Sequence, residues 1–290
     1  MELAEQNDLS RQELELRFKI IRFKARGIEI EKIWRQFTAA GFRLLVIKGW
    51  AAAEQFYPQP FQREFVDLDI MVEPGEFERA VGFSKDLRSS LPIDLHKGPR
   101  HLDVLEFEEL YSCGVTLNCN STEIKVPRPE DHLRILCNHW LTDGGANRDK
   151  LRDIYYAVSG RSNEFEWDRF LNSGNFRRRR WLECAVGLCA KYSDLDISDT
   201  PIPCADRRIP GWVIKSVEDE WKSDIKLQPL NFYSKDKKLL WEQLKKRMPP
   251  NAVQATILEE GDFDHYPRIW YQFKNIFSRL AASLKKSGGF

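Results

Sequence analysis

In the segment Arg63-Glu64-Phe65-Val66-Asp67-Leu68-Asp69-Ile70-Met71-Val72, two aspartates interrupt an apolar run that follows a charged pair. Val66, Leu68, Ile70 and Val72 alternate with Asp67, Asp69 and Met71, which is the period of a β-strand. The strand expected over residues 66–72 turns one aliphatic face inward and projects Asp67 and Asp69 together from the other. Aspartate is depleted from strands, and two neighbouring carboxylates repel each other. A cation between them removes the repulsion, and hard oxygen donors suit a divalent ion such as magnesium. A fold for this chain must therefore bury one side of the strand and leave the other open to a ligand.

Residues 42–47 form a second apolar run of strand length, which ends in Lys48-Gly49 and leads into the Ala-rich, helix-like stretch 49–56. Glycine lets the backbone approach a ligand closely, and the start of a helix offers unpaired N–H groups to an anion. Lys48 adds a positive charge at this turn, and Arg63 adds another ahead of Asp67. The turn is not a Walker A loop, because the spaced glycines and the Lys-Ser/Thr pair are missing. Residues 91–96 read as a third strand, with Ile93 and Leu95 on one face and Asp94 and His96 on the other. Asp67, Asp69 and Asp94 are thus candidate ligands for Mg²⁺. Lys48, Gly49, Arg63 and His96 are candidate phosphate contacts, and His96 also fits a proton relay or a plain strand-end hydrogen bond. Two such ions near each other stabilise the entering and leaving oxygens of phosphoryl transfer.

The order Ile47-Lys48-Gly49, Arg63, Asp67-Leu68-Asp69-Ile70-Met71-Val72 and Ile93-Asp94-Leu95-His96 resembles the uncharacterised nucleotidyltransferase family of the DNA polymerase β-like superfamily. Pro129-Glu130-Asp131-His132-Leu133, His139 and Leu151-Arg152-Asp153-Ile154 resemble that family's helical part. The likeness covers roughly residues 40 to 190. It implies a polymerase β-like core, a mixed sheet with flanking helices, in an α+β chain that continues as a helical half. It also implies that Asp67 and Asp69 hold two Mg²⁺ ions and that Asp94 completes one site and serves as base toward the acceptor hydroxyl. Gly49 and its neighbours would contact the triphosphate, and Lys48 and Arg63 would neutralise phosphate charge. The substrate is then an NTP, and the acceptor a small molecule, a peptide or an RNA end. Where the wider superfamily has Gly-Ser or Gly-Gly, this chain has Gly49-Trp50, and Trp50 either narrows the nucleotide pocket or packs into the core. Two other functions remain open: a catalytically inactive binding protein on the same fold, for which Trp50 speaks, and a two-metal phosphohydrolase.

Apolar periodicity predicts two helices within residues 9–40, divided at Gly27, then a helix over 76–87 and a hairpin of strands 114–119 and 122–126 around Asn120-Ser121. Past Pro127 the pattern turns helical: a helix opening at Pro129, then segments 150–158, 167–171, 180–192, 234–248 and 266–286. Residues 200–229 read as irregular. The expected organisation is N-terminal helices at 1–40, an α/β core at 41–127 and a helical region at 128–290. Arg177 to Arg180 read as a solvated helix end, and the aromatic side of the last helix as packed on the helical half. His132 and His139 share a helix face that either looks toward the cleft or bonds between helices, and His132 reads as an interhelical hydrogen-bonder. Asp153 reads as a helix-surface acid, with a cleft position as the alternative that the resemblance favours.

Lys+Arg 45 against Asp+Glu 44 leave a net charge of +1, so no global field steers nucleic acid or an anionic surface. The acidic N-terminus lacks the basic and apolar regions of a signal peptide, and no apolar run reaches membrane-spanning length. The cysteines show no C-x-x-C pair, and all but Cys204 sit in apolar contexts that read as free core thiols. The expected compartment is a reducing cytoplasm.

Overall fold

Strand β2 (Leu68–Val72) is the middle strand of a three-stranded sheet, with β1 (Leu44–Val46) antiparallel on one side and β3 (Ile93–Lys97) parallel on the other. The computed structural model describes residues 2–98, 105–223, 236–264 and 266–287. These fall into two compact units, residues 1–135 with 156–170 and residues 136–155 with 171–290.

In the first unit the pleat divides the apolar residues between two cores. Leu44, Val46, Leu68, Ile70 and Val72 pack against Ile30, Ile33, Trp34 and Phe37 of helix α1 (Glu2–Ala39). Leu45, Ile47 and Met71 face the other way, onto Ile135 and onto Phe107 and Leu110, which belong to the short helix Phe107–Ser112. Asp69 lies on the Met71 side of β2, so the strand carries its carboxylate away from α1. Each fully buried aliphatic or aromatic side chain stabilises by about 1.5–3 kcal/mol, which makes the register hard to slip. Helix α2 (Gly49–Phe56) follows β1, helix α3 (Phe77–Asp86) links β2 to β3, and strands β4 (Val115–Cys119) and β5 (Thr122–Val126) form the expected hairpin, with Asn120 at φ 52° in its turn.

Three expectations need correction here. Helix α1 runs unbroken through Gly27: the glycine is buried, its carbonyl oxygen accepts the Cys119 thiol at 3.3 Å, and a Cβ there would lie 3.8 Å from that sulfur. A mid-helix glycine costs about 1 kcal/mol, less than the packing that α1 gains on either side of it. Strand β2 begins at Leu68, not at residue 66, and Val66 is 72% exposed. Cys113 is exposed at the end of its helix, whereas Cys119, Cys137, Cys184 and Cys189 are buried thiols as expected.

The second unit is helical among its described residues. The helix Phe176–Ser193 buries Trp181, whose ring meets Phe263 at 4.8 Å and Trp212 at 6.0 Å. It starts earlier than predicted because Asn175 caps it, accepting the Arg178 N–H at 3.1 Å. Arg177 and Arg179 in its first turns are paired with Asp262 and Glu183. The stretch expected to be irregular contains helix Gly211–Trp221, nucleated after Pro210 and buried through Val213 and Val217. Residues 224–229 of that stretch lie outside the described residues. Asp153 is buried, contrary to the expectation of a surface acid.

The last helix, Ile269–Ser287, is turned over relative to the expectation. It bonds to its unit through polar groups: Gln272 to the Pro250 carbonyl, Asn275 to Glu259 and Arg279 to Gln254. Trp270, Phe273 and Phe277 point outward, Trp270 at 80% exposure. No helix among the described residues is long and apolar enough to cross a membrane.

Trp50 is 1% exposed and packs in the α1 core, with its indole N–H bonded to Glu54. Trp50→Ala is expected to lower the unfolding free energy by about 3–5 kcal/mol, read as a shift of the urea midpoint at unchanged m.

Candidate functional site

The site is built where β1 ends. Ile47 donates its N–H to the Asp69 carbonyl at 3.0 Å, which continues the β1–β2 ladder by one residue and brings the next, Lys48, over the same strand. Lys48 has φ 55° and ψ −145°, a region that essentially only glycine occupies without strain. Such a residue costs on the order of 1–3 kcal/mol and persists only where its surroundings over-determine it. Here its carbonyl accepts the Ala52 N–H at 2.8 Å and opens α2, while its own N–H donates to His132 Nε2 at 3.0 Å.

The left-handed backbone turns the Lys48 side chain onto Asp69, Nζ to Oδ1 at 2.5 Å, with both groups buried. The parallel pairing of β2 and β3 sets Asp69 opposite Asp94 and Met71 opposite His96, so Asp69, Asp94 and His96 share a face. His96 Nε2 lies 2.9 Å from the same Asp69 oxygen and 3.2 Å from Asp94 Oδ2. Burial pushes the Asp69 carboxyl up, but the His96 hydrogen bond and the Lys48 charge outweigh it and hold the group below the usual carboxylate range. Asp69 is therefore ionised and bears two donors on one oxygen.

Asp67 sits just ahead of the strand and is half-buried. Burial, then the charges of Asp69 and Asp94, raise its pKa, and Lys48 works against them. Arg26 of α1 fixes this approach: its guanidinium donates to the Phe65 carbonyl and lies 5.0 Å from the Phe65 ring centre. Gly49, at φ 23°, leaves the space beside Asp69 clear: a Cβ there would lie 3.7 Å from Asp69 Oδ2 and 3.4 Å from Phe65 Cβ.

The three strand residues fit a cation. One ligand atom each from Asp69, Asp94 and His96 lie within 4.8 Å of one another. Two carboxylates and an imidazole suit a divalent ion. Asp67 stands outside that group but inside its field, as its raised pKa records. Arg63 is half-buried, donates to the Glu64 carbonyl and lies near enough to His132 to lower its proton affinity. Trp50 faces the core and leaves the turn unobstructed, which removes the feature that spoke for an inactive binding protein.

His132 and Gln55 are the additions that the sequence did not bring to the site. His132 lies in the helix Pro129–Thr142, whose start is fixed by Arg169 gripping the buried Asp131 carboxylate at 2.9 and 2.7 Å. Gln55 sits seven residues, two helical turns, after Lys48, and that spacing was the one available signal.

Residues 10–193 match the model of a family described as "Uncharacterised nucleotidyltransferase", a span that includes every residue of this site. Among solved structures, the chain is similar to an antigenic nucleotidyltransferase-like protein from Paracoccidioides brasiliensis, at 14% identity over 60% of this chain and 89% of that one, with a TM-score of 0.39. No curated protein sequence matches the chain.

Burial, and secondly the Arg63 charge, push the His132 imidazole down to about 3. The unfolded chain takes up a proton at this residue near pH 6.5, and the folded chain does not until near pH 3. Its contribution therefore falls away as pH drops below 6.5, with a slope approaching about 1.4 kcal/mol per pH unit, and is flat above it. Urea unfolding between pH 7 and 4 is expected to show a shallower acid loss in His132→Gln than in the wild type.

Proposed function

The chain belongs to the uncharacterised nucleotidyltransferase family, and on that premise we propose that it moves a nucleoside monophosphate from an NTP to an acceptor hydroxyl or phosphate on a polymerase β-like core. The observation that supports this reading is the convergence of Lys48 and His96 on the ionised Asp69, with Asp94 in register beside it. A purely structural sheet has no need of two carboxylates side by side on adjacent strands, and a metal-assisted phosphoryl transfer does.

Asp69 and Asp94, with His96 and Asp67 beside them, would hold Mg²⁺, two ions by analogy with the wider superfamily. When bound, the metal offsets the negative charge that develops on the transferred phosphoryl group. The protein's own residues do the rest. Lys48 and Arg63 neutralise the phosphates, and Gly49 lets the turn and the start of α2 approach them. Asp94, with its side chain 49% exposed, is the carboxylate that a substrate reaches from solvent, and it takes the acceptor proton. The acceptor oxygen bonds to the α-phosphorus as the bond from that phosphorus to the bridging oxygen breaks. Pyrophosphate leaves with the electron pair.

Purified protein incubated with Mg²⁺, each NTP and a panel of small-molecule, peptide and RNA acceptors is expected to release pyrophosphate. Asp69→Asn is expected to slow this by more than about 100-fold, beyond the 10–100-fold typical of residues that only orient a ligand. Undiminished release in Asp69→Asn would sink the proposal. Release of free NMP with no acceptor would point to the phosphohydrolase reading instead. An RNA acceptor would show affinity falling steeply with salt, and a small molecule would not.

A further inference from the structure

Lys48 is pinned by a hydrogen-bond chain whose direction is set from one end. Pro127 has a carbonyl and no N–H, so its oxygen can only accept, and Gln55 Nε2 donates to it at 3.0 Å. That fixes the Gln55 amide with Oε1 toward His132 Nδ1, 2.5 Å away. An amide oxygen only accepts, so the imidazole proton belongs on Nδ1. Nε2 is then an acceptor, and the N–H that it meets, at 3.0 Å, is that of Lys48. The chain thus runs from Lys48 through His132 and Gln55 to Pro127 with no step that can reverse. The ring is fully buried and lies 5.2 Å from the Phe56 ring.

We infer that His132 is a positioning residue, which holds Lys48 in its left-handed conformation and so sets the Lys48 ammonium on Asp69. Without the acceptor at Nε2, a buried N–H loses its partner and the glycine-like backbone at Lys48 loses one of its two restraints. The turn relaxes toward an ordinary conformation, and the side chain no longer reaches back over β2. Gln55 acts one step further out, by fixing the tautomer. The consequence for catalysis rests on the nucleotidyl-transfer reading; the positioning itself does not.

His132→Phe separates positioning from packing, since it keeps a ring against Phe56 and removes the acceptor. Amide hydrogen exchange is read at Lys48 and, as a control, in β1. The Lys48 amide is expected to exchange at least about tenfold faster in the variant, with β1 unchanged. Equal Lys48 exchange in the two proteins overturns the inference. Long-range ¹⁵N–¹H spectra of the wild type at pH 7 are expected to show His132 protonated at Nδ1, and protonation at Nε2 overturns it as well. Pyrophosphate release from ATP, GTP, CTP and UTP with Mg²⁺ and the same acceptor panel then gives a double-mutant cycle. His132→Phe is expected to cost roughly tenfold to a hundredfold alone and nothing further in a Lys48→Met background. Additive losses would mean that His132 does not act through Lys48. If the wild type releases no pyrophosphate, the nucleotidyl-transfer reading fails, and the exchange and tautomer measurements still decide the positioning role. Should His132→Phe not fold, Gln55→Leu takes its place in the exchange comparison, since it leaves the ring and frees the tautomer.

Discussion

The buried carboxylate of Asp69 is the constraint around which the first unit is arranged. An ionised group out of water has to be met by donors, and removing one partner of such a pair is far costlier than never having built it. Lys48 and His96 meet it on a single oxygen. Lys48 comes from just past the end of β1 and His96 from within β3, so the charge ties both neighbouring strands to β2 at Asp69. The left-handed Lys48, the bare Gly49 and the His132 acceptor follow from the need to bring an ammonium to that oxygen from the strand next door. On the proposed reading, a carboxylate held in this way would exchange a protein cation for a metal or a substrate-bound one.

Much of this site was legible in the residues. The alternation from Leu68 to Val72, the Lys48-Gly49 turn and the Asp94-x-His96 strand each signal by local period, and local period survives folding when both neighbours of a strand pair in register, whereas Asp67 falls ahead of the strand. Asp69 and Asp94 meet because the two strands run parallel with those positions aligned, which no single segment encodes. His96 turned out to bond Asp69 as well as to lie near Asp94, because a side chain one residue pair along a sheet can lean back along the strand. His132 was invisible as a partner of Lys48 for the same physical reason that long-range contacts generally are: 84 residues separate the two in sequence.

The misses share a cause. Gly27 has the composition of a break and sits inside a helix, because the residues of α1 on either side of it pack into one core. Residues 211–221 fold as a helix within a proline-rich stretch, because Pro210 stands before the first turn, where a missing N–H costs nothing. The last helix has a clear apolar stripe, yet its hydrogen-bonding side faces the protein. In each case the pattern was read correctly as a local preference, and a tertiary partner that the pattern does not contain decided how it was used.

Lys48, Gly49 and Trp50 are consecutive, and they serve three directions: one side chain to Asp69, none beside it, and one to the α1 core. Turn and core thus share a backbone with no slack residue between them. A volume change under the indole is transmitted to the ammonium within two peptide units. On the proposed reading, variants that loosen the interior near α1 would lose activity along with stability, and screens that sort substitutions by activity alone would mistake packing residues for catalytic ones.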